Sequence, residues 1–153
     1  MDRKEQLIGL ERERWQEFQS LLDQIPPSGM HTTTLNDDGW SVKDLLWHMR
    51  CWDTEITSEL KRIRLGTYVD YDYDTDEKNA RFFDEGRDVE PMLARTEWRA
   101  ARERALAEMA RLPEVTPPVD EWFSELAYKH MDDHLPELRR FVEGSVATGH
   151  PPA

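Results

Sequence analysis

The sequence predicts an all-α fold, a four-helix bundle. Three observations predict it. Four stretches carry apolar residues at helical spacing. Glycine is scarce, 7 of 153 residues. No run alternates between apolar and polar positions as a half-buried strand does. The length is that of one domain, which clusters near ~100–150 residues. Residues 1–143 are read as that domain and 144–153 as a disordered tail.

The first helix is expected over about Arg3–Gln24, with Leu7, Leu10, Phe18, Leu21, Leu22 and Ile25 along one stripe. Pro26-Pro27-Ser28-Gly29 stops it, because proline cannot donate to the next turn. The second helix starts near Ser41, where Ser41-Val42-Lys43-Asp44 resembles a capping box with Asp in place of Glu or Gln. Val42, Leu45, Leu46, Met49, Trp52, Ile56, Leu60 and Ile63 share its inner face, and Gly66 is its natural stop. The connection 67–88 is long for a bare loop. It is expected to wrap one end of the bundle and to hold a short helix near Asp76–Phe83. The third helix begins near Pro91, a favoured first-turn residue, and buries Ala94, Trp98, Ala101, Ala105, Met109 and Leu112. After the break at 113–118, the fourth runs from about Asp120 to Glu143 with Trp122, Phe123, Leu126, Ala127, Leu138 and Phe141 inward.

Composition excludes several functions. The formal net charge is −12, from 20 Lys and Arg against 32 Asp and Glu. Such an excess repels phosphate backbones, so nucleic acid is not the expected ligand. Mean hydropathy is −0.82, and no apolar run approaches the ~18–20 residues of a spanning helix, so no membrane partner is expected. No secretory signal follows Met1. Cytoplasmic location is the expectation. One cysteine, Cys51, allows neither an internal disulfide nor a multi-thiolate zinc site. Of the 20 basic residues 15 are arginine, which points to a GC-rich bacterial genome.

The histidines carry the chemistry. On a wheel of about 100° per residue, His130 and His134 fall inside the apolar stripe of the fourth helix. An i, i+4 pair lies one turn apart on one face and can aim two ring nitrogens at one ion. His130-Met131-Asp132-Asp133-His134 lacks the glutamate of the metalloprotease helix, so that reading fails. His48, beside Leu45 and Trp52, offers a third ligand from a neighbouring helix. His31 in a loop and His150 in the tail are poor ligands. Spacing alone leaves two readings open, a metal site and buried structural histidines satisfied by carboxylates or carbonyls.

Gly39-Trp40-Ser41-Val42-Lys43-Asp44-Leu45-Leu46-Trp47-His48-Met49 resembles the second-helix signature of the DinB-like superfamily, which includes the N-terminal domain of mycothiol-dependent maleylpyruvate isomerase. His130-Met131-Asp132-Asp133-His134-Leu135-Pro136-Glu137-Leu138 resembles its fourth-helix signature, and Asn79-Ala80-Arg81 also fits. The resemblance spans about Glu11–Val142. It implies an up-up-down-down bundle with a long connection between helices two and three. It implies a divalent metal, zinc or nickel, held by His48, His130 and His134. Three neutral ligands leave a position for water or substrate, as at a catalytic zinc. The implied function is a thiol-dependent transferase or isomerase of the mycothiol or bacillithiol type, or a metal-dependent hydrolase, acting on a small molecule. The alternative is a non-catalytic small-molecule-binding or stress-response module with a structural metal or none. A homodimer is compatible with the resemblance and with the aromatic load. No general base or nucleophile stands out.

Other residues have plainer readings. Asp44 and Glu55 lie on the His48 side of their helix and could orient it, though solvated surface charge explains them as well. Asp133 faces away from His134 on the wheel. Cys51 reads as a half-buried thiol with nothing basic to activate it. Asp70-Tyr71-Asp72-Tyr73-Asp74-Thr75-Asp76 is no EF-hand, since Thr75 and Arg81 occupy the places of its glycine and glutamate. Its tyrosines either roof the metal pocket or pack. Trp40, Trp47, Trp52, Trp98 and Trp122 are expected in the core or at a dimer interface, and Pro136 is expected to kink the fourth helix or simply to be tolerated there.

Overall fold

A computed structural model of the chain describes residues 1–148. It is all-helical, with no strand among the described residues. The helices are α1 (Arg3–Leu22), α2 (Val42–Leu65), α3 (Thr75–Glu85), α4 (Pro91–Arg111), α5 (Pro117–Phe123) and α6 (Lys129–Thr148). A 3-10 turn, Pro27–His31, lies between α1 and α2. A π-helical turn, Ser124–Tyr128, joins α5 to α6, so the three segments form one continuous rod. That rod is the fourth helix of the sequence reading. It begins at Pro117 rather than Asp120 and runs past Glu143 to Thr148, overtaking the start of the expected tail. Residues 149–153 lie outside the described residues.

Local chemistry sets the ends. Asp2 caps α1 by accepting the Glu5 amide at 2.8 Å. The capping box of α2 is formed from both sides. The Ser41 hydroxyl accepts from the Asp44 amide at 3.2 Å, and the Asp44 carboxylate accepts from the Ser41 amide at 2.8 Å. Gly66 closes α2 at φ 75°, in the left-handed region where a Cβ is costly.

Cross-helix pairs give the directions. Glu11 meets Arg102, and Gln19 and Asp23 meet Arg95, so α1 and α4 are antiparallel. Arg64 meets Glu108 and Asp53 meets Trp98, so α2 and α4 are parallel. Arg3 meets Asp120 and Arg14 meets Asp132, so the α5–α6 rod runs with α1. The order is up-down-down-up, which corrects the up-up-down-down order implied by the resemblance. The reason lies in the connections. Parallel neighbours need a crossover as long as themselves, and residues 66–90 supply it between α2 and α4. This connection does not wrap one end. It runs back along α2, with Lys78 against Glu55, Trp52 against Asn79, and the Lys43 ammonium donating to the Gly86 carbonyl at 2.7 Å. At Gly86 a Cβ would overlap the Trp47 ring, so α3 docks on α2 only because glycine stands there.

The core follows the predicted stripes. One cluster packs Phe18, Leu22, Leu45, Leu46, Trp98 and Leu138, and a second packs Leu7, Ile56, Leu60, Met109, Trp122 and Phe123. Trp98 sits edge-on to Trp15 and Phe18, with centroids 4.6 and 4.8 Å away. Trp52, Trp98 and Trp122 are buried within the chain's own core, while Trp40 and Trp47 are half-buried.

Candidate metal centre

Two rigid elements bring three imidazoles together. The capping box fixes the first turn of α2, and His48 follows one turn later, buried. His130 and His134 stand in the first two turns of α6, directly after the π-helical turn, a feature found often at functional sites. Nε2 of His130 lies 2.8 Å from Nε2 of His48 and 3.1 Å from Nε2 of His134. All three donor atoms fall within 4.8 Å of one another.

Hydrogen bonds alone cannot satisfy this arrangement. A neutral imidazole carries one N–H, yet Nε2 of His130 faces two other ring nitrogens. Nδ1 of His48 and Nδ1 of His130 are buried and make no hydrogen bond of good geometry. His134 is held from behind, its Nδ1 lying 2.7 Å from the Glu137 carboxylate, which fixes Nδ1–H and turns the Nε2 lone pair inward. Glu137 is itself approached by the Asn36 amide at 3.4 Å.

Protonation does not resolve the crowding. Burial, then the neighbouring His134, pushes His48 down to about 3. Burial, then His48 and His134, holds His130 well below its ordinary value, with the Leu126 carbonyl pulling weakly the other way. Neutral rings are what a metal requires. An ion bonded at about 2.0–2.1 Å to each nitrogen would space them roughly 3.3 Å apart, against 2.8 and 3.1 Å from Nε2 of His130 to its two neighbours and at most 4.8 Å across the set. The donor set therefore fits a divalent cation.

The cluster opens into a cavity of about 980 Å³. Trp40 packs edge-on to His48 with centroids 5.0 Å apart, and Trp52 stands behind His130. Asn79 lines the cavity and accepts from the Trp52 indole N–H at 2.8 Å. Asp133 and Arg140 line it too. Among the described residues no fourth His, Cys, Asp or Glu joins the cluster.

A family model described as the mycothiol maleylpyruvate isomerase N-terminal domain matches residues 12–130, well over half of the chain. The chain belongs to this family. As a mycothiol maleylpyruvate isomerase N-terminal domain it is a member of the DinB-like superfamily. No curated protein and no solved structure matches the chain. The family match takes in His48 and His130 and stops before His134, so the third imidazole is tied to the site by geometry alone.

Within this DinB-like domain the secondary candidates separate cleanly. Asp44 is spent on the α2 cap, and Glu55 pairs with Lys78 at 3.4 Å, so neither orients His48. Cys51 is buried rather than half-buried, and the Arg50 guanidinium does stand 3.9 Å from its sulfur, but burial outweighs that cation and pushes the thiol up to about 11, so it stays inert. His31 is exposed in the 3-10 turn, and His150 lies outside the described residues. Asp133 is exposed and turned from its own helix stripe, but it borders the cavity. Tyr73 roofs the cavity, while Tyr71 does not reach it. Helix α6 continues through Pro136, and the irregular turn stands ahead of the histidines, at Ser124–Tyr128. Sequence reasoning missed Glu137. The i, i+3 spacing from His134 was its available signal. Asn79 was noted only as part of a motif, with nothing to say that it would reach Trp52.

Proposed function

We propose that this domain is a metal-dependent enzyme in which His48, His130 and His134 hold one divalent ion, zinc or nickel, and that the cavity receives a low-molecular-weight thiol and a small substrate. The observation supporting this reading is the convergence of three imidazoles, two of them buried with an unsatisfied Nδ1, at the floor of an open cavity, with no fourth ligand among the described residues. The family's name points to mycothiol, and the reaction class is thiol-dependent transfer or isomerisation. Hydrolysis by activated water is the variant.

When bound, the ion supplies a Lewis acid that keeps a thiol as thiolate or lowers the pKa of a water. The chain's own residues do the rest. Glu137 holds the His134 ring in one tautomer. Trp40 and Trp52 wall the histidines and reduce water access, which strengthens electrostatic interactions inside. Asn79, fixed by Trp52, presents its amide N–H₂ at the cavity wall, where it can orient a carbonyl or hydroxyl of the substrate. Arg140 is in no ion pair among the described residues and is the one basic side chain lining the cavity. It suits a substrate carboxylate.

The test is spectroscopic. Cobalt-loaded protein titrated with a low-molecular-weight thiol should gain thiolate-to-cobalt charge-transfer absorption, and the His130→Ala variant should not. Cobalt bound with no spectral response to any thiol would overturn the thiol reading and leave hydrolysis.

A further inference from the structure

A second cavity of about 410 Å³ adjoins the first and shares with it Tyr73, Thr75, Leu126 and Glu125, the last paired with Lys129. Four aromatic rings surround it: Tyr68, Tyr71, Tyr73 and Trp122. Tyr73 stacks on Trp122 with centroids 6.0 Å apart and planes 24° apart, and Tyr71 lies 5.7 Å from Tyr73. The Trp122 indole N–H donates to the Tyr68 hydroxyl at 3.1 Å, which fixes that corner. The cavity is therefore walled by aromatic side chains held against one another.

Its charge is one-sided. Asp70, Asp72 and Glu121 line it and form no ion pair among the described residues. No basic side chain lines it. From α2, Glu59 stands behind it, its charge paired with Arg62. It is fully buried, with one oxygen on Arg62 and Oε2 without a partner. Burial first, and then the negative charges of Glu59 and Glu55, hold the Tyr71 hydroxyl above its ordinary range against the opposing pull of Arg62, so this ring stays neutral. The Tyr73 ring already receives a cation, the Lys78 ammonium, 5.4 Å from its centroid.

Aromatic faces carry negative quadrupoles and attract ammonium groups, most strongly where desolvated. Unpaired carboxylates beside them repel anions. A bare metal ion is excluded by geometry, since no three acidic groups converge here. We propose that the cavity bounded by Tyr68, Tyr71, Tyr73 and Trp122 is a binding subsite for an organic ammonium group. The subsite does not depend on the metal. Its use by a substrate whose other end reaches the histidines rests on the function proposed above.

The probe is choline, against its neutral isostere 3,3-dimethyl-1-butanol, each titrated into the full chain. Binding is followed at the indole N–H resonance that Trp122→Phe removes, in chelator-treated and in zinc-loaded protein. Choline should shift that resonance saturably in both forms and bind at least about tenfold more tightly than the isostere. The exposed Tyr71→Leu change should weaken choline about fivefold, with the far-ultraviolet spectrum and melting temperature unchanged. Paired Asp70→Asn and Glu121→Gln changes should weaken it as well. Equal binding of the two probes, no response up to about 50 mM choline, or no effect of Tyr71→Leu would each overturn the subsite. Choline binding to a protein that takes up no zinc would leave the subsite standing and remove the metal reading instead.

Discussion

Helix α2 buries titratable groups on two of its faces, and the two faces are treated differently. Toward α4 and α1, Asp53 accepts from the Trp98 indole N–H at 2.9 Å. Beside it Glu11 takes both arms of the Arg102 guanidinium, at 2.6 and 2.9 Å, and Arg102 lies over Trp15, 4.4 Å from the ring centroid. These two carboxylates are answered from within the chain, although Gln19 Nε2 and Arg50 Nε on the α4 side find no hydrogen-bond partner. Toward α6, His48 meets His130 and His134, three nitrogens press on one another, and the Nδ1 atoms of His48 and His130 make no hydrogen bond of good geometry. Buried polar groups in folded proteins are almost always paired. The first face reads as structure and the second as a site that waits for something the chain does not contain.

The comparison can be sharpened by measurement. The largest expected effect is on the histidine face, where zinc or nickel at about 1,000 times its dissociation constant should add about 4 kcal/mol to stability, read by urea denaturation with and without chelator. Absence of any shift would make the histidine face structural too. Next, Asp53→Ala should cost about 1–3 kcal/mol, because it strands a buried indole N–H. The change should leave metal stoichiometry untouched, which separates the two faces. Glu137→Gln should then weaken metal binding about tenfold to a hundredfold while keeping three ligands in place, read by competition with a chromophoric chelator. A stoichiometric change instead would make Glu137 a ligand.

The faintest effect is the opposed pH dependence of the two faces in metal-free protein. His48 and His130 stay neutral when folded, yet protonate near 6.5 when unfolded. Below that pH the unfolded chain binds more protons, so their contribution is lost as pH falls from about 6.5. Burial, and then Glu11, raises Asp53 well above its ordinary value against the pull of Trp98 and Arg102. The folded chain then holds that proton longer, so stability falls as pH rises above the unfolded carboxylate value. Asp53→Asn keeps an acceptor for Trp98 and should gain on the parent chain as pH rises above the unfolded carboxylate value. Parallel pH curves for parent and variant would contradict the assignment.

Much of this was legible in the sequence, for physical reasons. The stripes of α1, α2 and α4, the capping box at Ser41 and the stop at Gly66 are local patterns that packing did not overrule. The three histidines were legible because i, i+4 spacing and a position inside an apolar stripe survive into three dimensions. Helix order was not. It depends on whether residues 66–90 turn at one end or travel the length of α2, which is decided by long-range contacts such as Lys43 with Gly86. The π-helical turn was likewise invisible, since Ser124–Tyr128 carries no residue type that demands it. The Asp53 face was missed because an aspartate within a helical run reads as surface charge until Trp98 is brought against it.

The central claim, that the histidine face is completed by an ion, is tested most directly by elemental analysis of tag-free protein after incubation with zinc or nickel, beside His48→Ala and His130→Ala. Close to one metal per chain, lost in both variants, is the predicted result. No metal, or an unchanged stoichiometry in either variant, would contradict it and leave the three imidazoles as core residues.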